Sequence, residues 1–364
     1  MRYVIAGGGT GGHLFPGIAL ADAFRDLDSE AEIVFIGASG GLETRVVPEL
    51  GYRLVTLPVR GVMNLGLVRG LTRALNVLWN IFRAYGILGN LSPDLVVGVG
   101  GYASVPAVAA AAFRKIPRCI LEQNVVPGRA SRFLARYAQR IYLGFPTLRP
   151  EFPPEKTMIT GNPIRRESVP LDRVKDFSGG QATLLILGGS QGAAQLNDLA
   201  MQIVPGLLEG NSSLTVVHQT GRDKEQAVRE HYAASNSNVE VVPFIEKMGE
   251  YYSRADLCLS RAGAMAVSEL AAAGVPSILI PYPHAVSDHQ RANGRWLEEW
   301  GGAVTIEPER TKAPLLQENI EHLLSSPNVL KDMSDACLKA GTSDAAERIA
   351  REEIERLEAM KGHA

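Results

Sequence analysis

The glycine turns constrain this chain more than any other feature, because the chain uses the same design twice. "YVIAGGGTGGHLFP" opens it and "TLLILGGSQGAAQLN" repeats the plan later, each an apolar strand, a glycine turn and a helix. Glycines placed there let backbone N–H groups approach an anion at the positive end of the next helix. A looser second echo pairs "VVGVGGYASVPAVAAA" with "CLSRAGAMAVSELAAAG". Four such turns predict α/β architecture: two doubly wound domains of similar size facing each other across a cleft, with ligands beyond the carboxyl ends of the strands.

Predicted strands are Tyr3–Ala6, Glu32–Ile36, Leu95–Gly98, Arg118–Leu121 and Arg140–Leu143 in the first half. Thr183–Leu187, Leu214–Gln219, Val239–Val242, Leu257–Ser260, Ser277–Ile280 and Ala303–Ile306 follow in the second. Helical patterns separate most of them, as parallel βαβ units require. Pro163, Pro170, a charged stretch and Gly179-Gly180 break the pattern, dividing a first domain at 1–162 from a second at 163–342. Residues 343–364 form an amphipathic helix, capped by Ser343 or Asp344, that can pack back on the first domain.

The net charge of −2 argues against a nucleic-acid partner. Cys119, Cys258 and Cys337 are far apart, which predicts neither disulfides nor a zinc site and fits a reducing cytosol. With no leader pattern and no apolar run of about 18 residues, a spanning helix is not expected.

Gly7-x-Gly9-x-x-Gly12 matches the dinucleotide fingerprint, with Pro16 near the helix start. That fingerprint also needs an acid about 20 residues on, at the end of the second strand. Here the strand ends "VFIGASGG", and the nearest carboxylate, Glu43, lies beyond the turn. A nicotinamide-dependent oxidoreductase is weakened accordingly, and a tight turn without ligand is the plain alternative. The second domain offers Glu269, on the helix after the strand ending at Ser260, which can accept from two ribose hydroxyls. A helix-start glutamate favoured by the macrodipole explains it equally well. Gly188-Gly189-Ser190 in the same domain tilts the reading toward a nucleoside diphosphate. Asp26-Leu27-Asp28 closes a helix and reads as a solvated end, so no metal and no cofactor is required: helix N-termini can stabilise a leaving diphosphate.

The ordered motifs "GGTGGHLFPGIALA", "GVGGYASVPAVAAA", "LEQNVVPG", "TGNPIR", "GGSQGA" and "RAGAMAVSELAAAGVPSILIPYPHAVSDHQRANG" resemble the MurG family over nearly the whole chain. These N-acetylglucosaminyltransferases complete the lipid-linked peptidoglycan precursor. The resemblance implies a GT-B fold of two Rossmann-like halves and an inverting reaction. N-Acetylglucosamine would pass from UDP-N-acetylglucosamine to the muramoyl C4 hydroxyl of undecaprenyl-diphosphoryl-N-acetylmuramoyl-pentapeptide. By matching positions, Thr10, Gly11 and Gly12 would lie near the transferred sugar and the acceptor diphosphate, and Asn124 on the donor sugar. Arg165 and Ser190 would approach the donor nucleotide and its phosphates, and the Ile245 backbone would pair with uracil. Ala264, Met265, Ala266, Val267 and Ser268 would offer amides to the diphosphate, with Glu269 on the ribose and Gln290 on the sugar hydroxyls. Leu121, Val105, Ala262 and Ala266 depart from the usual residues.

A single displacement needs one base for the acceptor proton. His13, at the mouth of the first turn, is placed to take that proton or to hold the acceptor diphosphate; a histidine bonding a helix terminus is the alternative. Glu122 is the rival base, with a buried structural carboxylate as its alternative. Asp288 is a third, read more simply as a helix cap. "VRGVMNLGLVRGLTRALNVLWNIFRAYGILGN" sets Arg60, Arg69, Arg73 and Arg83 among Leu67, Leu71, Leu78, Trp79, Ile81, Phe82 and Tyr85. Part of that helix must pack inward, but its broad apolar face and arginines suit an anionic membrane surface. A peripheral place on the cytoplasmic face of the plasma membrane follows from such an acceptor. The competing readings are a related transferase with another lipid acceptor, the oxidoreductase, and a non-catalytic sugar-nucleotide module.

Overall fold

The computed structural model describes residues 1–59, 67–147, 149–170, 175–188, 193–233, 238–283 and 288–362, with only the backbone of 67–75. The chain forms two compact units, Met1–Arg165 with Asp344–Ala364, and Arg166–Ser343.

The first unit begins β1 (Arg2–Ala6), α1 (Gly11–Leu27), β2 (Glu32–Ala38), α2 (Glu43–Glu49), β3 (Arg53–Leu57) and α3 (Leu67–Leu91). It continues β4 (Leu95–Gly98), α4 (Ser104–Phe113), β5 (Arg118–Glu122), α5 (Arg129–Leu134), β6 (Arg140–Leu143) and β7 (Thr157–Ile159). The second unit runs β8 (Ala182–Leu187), α6 (Ala194–Gly210), β9 (Leu214–Gln219), α7 (Glu225–Tyr232), β10 (Val239–Val242), α8 (Met248–Arg254) and β11 (Leu257–Ser260). It ends α9 (Ala264–Ala273), β12 (Ser277–Leu279), α10 (His289–Glu299), β13 (Ala303–Thr305), α11 (Ala313–Leu324) and α12 (Pro327–Ala340). The last helix, α13 (Ala345–Gly362), returns to the first unit.

Both sheets are parallel. Their strand orders are β3-β2-β1-β4-β5-β6-β7 and β10-β9-β8-β11-β12-β13. Strand order reverses between β1 and β4, where Ala6 pairs with Gly98, and between β8 and β11, where Leu187 pairs with Ser260. Those switch points are where doubly wound sheets leave a crevice, and all four glycine-containing turns follow these four strands.

Alternation sorts each strand onto two covered faces. In β1, Val4 and Ala6 join Ala84, Leu88 and Ala107 of α3 and α4, whereas Tyr3 and Ile5 join Leu14, Ile18 and Phe24 of α1. The second face also takes Ile349, Ala350 and Leu357 of α13. Each Val, Leu, Ile or Phe side chain among these, fully buried, contributes roughly 1.5–3 kcal/mol, and each alanine methyl less. Glu353 of α13 is buried too: it accepts the Tyr142 hydroxyl at 2.8 Å and the Arg356 Nε–H at 2.9 Å. Lys361 adds an ion pair to Asp94 at 2.8 Å.

Two strands are absent from the sequence reading. β3 and β7 are the edges of the first sheet and half-exposed, so they lack the unbroken apolar run that marks the inner strands. Pro16 also differs from expectation. It is the sixth residue of α1, past the first turn, so it has no N–H to give the Gly12 carbonyl.

Candidate active site

At the first switch point, Thr10 is the N-cap of α1, and its carbonyl accepts from the His13 and Leu14 amides at 3.2 and 3.1 Å. The His13 imidazole therefore starts from the first turn of the helix, with Gly11 and Gly12 before it. Its Nδ1 lies 3.3 Å from Gln123 Oε1, while Gln123 Nε2 donates to the Val99 carbonyl at 3.0 Å. That second bond identifies Oε1 as the acceptor end of the amide. His13 Nδ1 must then carry the proton in the neutral ring, and the acceptor lone pair falls on Nε2. The β4 turn supplies the floor. Gly100 has φ +92, and a Cβ there would lie 2.5 Å from His13 Nδ1. Only glycine admits both that backbone and that approach.

Glu122 ends β5 and is 2 % exposed. Its Oε1 accepts the backbone and side-chain N–H groups of Asn124 at 2.9 and 3.0 Å, and its Oε2 accepts the Gly128 N–H at 2.9 Å. The carboxylate thus ties the "LEQNVVPG" loop to the strand end. Asn162 holds the same loop from below, donating to the Gln123 carbonyl at 3.0 Å. Arg165 stacks its guanidinium 4.7 Å above the Phe15 ring of α1.

At the second switch point, Gly263 caps α9, and its carbonyl accepts the Val267 N–H at 2.9 Å. This corrects one expectation. The Val267 amide is committed to the helix, and Ser268 sits a residue deeper, so the outward-pointing donors are Ala264, Met265 and Ala266. Glu269 lies in the second turn of α9. Its Oε1 accepts the Ser168 hydroxyl at 3.2 Å and its Oε2 accepts the Tyr252 hydroxyl at 3.1 Å. Gln290 Oε1 accepts the Tyr282 N–H at 2.8 Å, which leaves its amide nitrogen as the donating end. Ile245 is buried just after β10. Asp288 stands at the N-cap position of α10 without a side-chain cap bond and pairs with Arg291 at 3.4 Å. Ser190 and His284 lie outside the described residues.

Sequence reasoning passed over Gln123, Asn162 and Arg261. Arg261, beside the α9 N-terminus, donates to the Ile280 and Pro281 carbonyls at 3.2 Å and to Gln195 Oε1 at 3.1 Å. Burial lowers its guanidinium below the ordinary value. Its position directly after a strand and before "AGA" was the available signal. Among the described residues, no three His, Cys, Asp or Glu side chains converge as metal ligands do.

Away from the turns, α3 buries Asn80, Ala84, Leu88 and Leu91 and turns Leu78, Trp79 and Phe82 outward, the last 69 % exposed. Phe113 of α4 is also exposed, Arg83 is exposed on α3, and Arg114 covers the Tyr85 ring at 3.9 Å. Arg60 and the side chains of Leu67, Arg69, Leu71 and Arg73 lie outside the described residues. No helix among the described residues is long and apolar enough to cross a membrane.

Two doubly wound units, each with glycine turns at its switch point, fit the two-domain GT-B fold. Residues 3–143 match the glycosyltransferase family 28 N-terminal domain, and residues 183–349 its C-terminal domain. A Geobacter sulfurreducens relative named UDP-N-acetylglucosamine–N-acetylmuramyl-(pentapeptide) pyrophosphoryl-undecaprenol N-acetylglucosamine transferase is 40% identical over 97% of this chain and 98% of its own. A Thermodesulfovibrio yellowstonii protein of the same name is 40% identical over 96% and 97%. The crystal structure of Acinetobacter baumannii MurG superposes with a TM-score of 0.78 at 27% identity, covering 97% of this chain and 99% of that one. The chain belongs to the MurG family.

Proposed function

We propose that this chain performs the reaction for which its relatives are named. It transfers N-acetylglucosamine from UDP-N-acetylglucosamine to the C4 hydroxyl of the muramoyl sugar in undecaprenyl-diphosphoryl-N-acetylmuramoyl-pentapeptide, inverting the anomeric centre. The end-to-end 40% identity to transferases of that name carries the reading.

The residues divide the work. His13 Nε2, bearing the lone pair, takes the proton of the attacking hydroxyl as the bond to the anomeric carbon forms. The transition state is oxocarbenium-like, as at other glycosyl centres. Charge on the departing UDP is met by the Ala264, Met265 and Ala266 amides at the positive end of α9, with Glu269 on the ribose. Thr10, Gly11 and Gly12 border the acceptor, while Asn124, Arg165, Ser190, Ile245 and Gln290 hold the donor. Glu122 shapes the Asn124 loop rather than moving a proton, because three N–H groups already converge on its carboxylate.

The exposed apolar face of α3, flanked by arginine, supports peripheral contact with an anionic bilayer on the cytoplasmic side, where a prenyl-linked acceptor is anchored. The test is transfer of radiolabel from UDP-N-acetylglucosamine to the muramoyl lipid, run beside other sugar nucleotides and a diacylglycerol. Label in the disaccharide lipid alone is expected. Transfer to diacylglycerol, or none to the muramoyl lipid, overturns the proposal.

A further inference from the structure

The first glycine turn carries an anion of its own. Glu43, the first residue of α2, is 1 % exposed, and its carboxylate lies between that turn and the end of β2. Its Oε2 accepts the Gly9 N–H at 2.8 Å and its Oε1 accepts the Ala38 N–H at 2.7 Å. Glycines make the room. A Cβ on Gly8 would come within 2.6 Å of the Glu43 carboxyl carbon, and Cβ atoms on Gly37 and Gly41 would also run into the side chain.

That location has a chemical meaning. In dinucleotide-binding sheets, the space between the first glycine turn and the end of the second strand belongs to a ribose, held by an acid at the strand end. This chain lacks that acid and places its own carboxylate in the space, with one oxygen on each of the two amides.

We propose that Glu43 is a positioning residue for transfer, holding Gly7–Gly9 in the conformation that mounts His13. The contacts are continuous. Glu43 fixes the Gly9 amide, the Gly8 carbonyl lies against Gly101 where no Cβ fits, and Gly100 lies against the imidazole. An ionised acceptor makes these bonds about twice as strong as a neutral one does. A glutamine of the same shape must aim its NH₂ at one of the two N–H donors. The inference rests on the reading of His13 as the group that acts on the acceptor.

The test compares Glu43→Gln and Glu43→Asp with His13→Ala in the full chain. It measures UDP-N-acetylglucosamine affinity by calorimetry, kcat with the muramoyl lipid, and the pH dependence of kcat. Glu43→Gln is expected to lower kcat at least tenfold and displace the acid limb of the pH profile, with donor Kd within twofold. Turnover within twofold and an unmoved profile, beside an inactive His13→Ala, overturns the role of Glu43 and leaves that of His13 standing. Near-normal turnover by His13→Ala overturns both. Should Glu43→Gln lose donor binding through misfolding, Glu43→Asp decides. A kcat lowered at least tenfold with a displaced acid limb and donor Kd within twofold upholds the inference, and turnover within twofold with an unmoved profile overturns it.

Discussion

His218 makes the second unit sensitive to mild acid. It lies in β9, fully buried, between Asn197 and Tyr232. Asn197 Nδ2 donates to the Thr220 carbonyl at 3.0 Å, so its Oδ1 faces His218 Nε2 at 3.2 Å as an acceptor. The ring is then protonated on Nε2, and Nδ1 accepts the Tyr232 hydroxyl at 3.1 Å. Burial pushes the imidazole down to about 4 from an ordinary 6.5. Between those values the unfolded chain binds a proton that the folded one refuses. Stability is therefore whole above pH 6.5 and is lost as pH falls toward 4, by about 3 kcal/mol from this group. Urea unfolding of the second unit, for wild type and His218→Gln from pH 7 to 4, should show their difference shrinking by that amount. The His218 ring protons should stay untitrated by NMR until about pH 4. A ring that titrates near 6.5, or a difference that is flat with pH, refutes the reasoning.

Glu353→Ala removes the partner of Tyr142 and Arg356 beneath α13, and should cost about 3 kcal/mol, seen as a lower urea midpoint; a loss under about 1 kcal/mol contradicts that anchoring. Gly100→Ala puts a methyl against the His13 ring at a backbone φ of +92. It should lower kcat at least about tenfold, as loss of a placed acid–base group does, with donor Kd unchanged by calorimetry. Replacing Trp79 and Phe82 together by serine should leave stability within about 0.5 kcal/mol, since both are exposed. The same change should abolish salt-sensitive co-sedimentation with anionic vesicles, and undiminished binding would remove α3 from the membrane contact.

The fold was readable from the chain because its signals are local. A β-branched run followed by glycines declares a strand, a turn and a helix within about fifteen residues, and the repeat of that signal gave two sheets. What escaped depended on distance or exposure. β3 and β7 are edge strands with little apolar surface to mark them. Gln123 orients a ring 110 residues away, and Glu43 meets its turn across 34 residues, so neither spacing has meaning until the sheet is assembled. The Val267 amide was misjudged for a smaller reason: helix register decides which N–H groups remain outward, and the motif alone does not fix where α9 begins.

The central claim is that the first glycine turn presents an imidazole to the acceptor instead of cradling a dinucleotide. His13→Ala tests it most directly, with kcat on the muramoyl lipid measured beside UDP-N-acetylglucosamine Kd by calorimetry. A fall in kcat of at least about a hundredfold with Kd within twofold is predicted. A kcat close to wild type contradicts it.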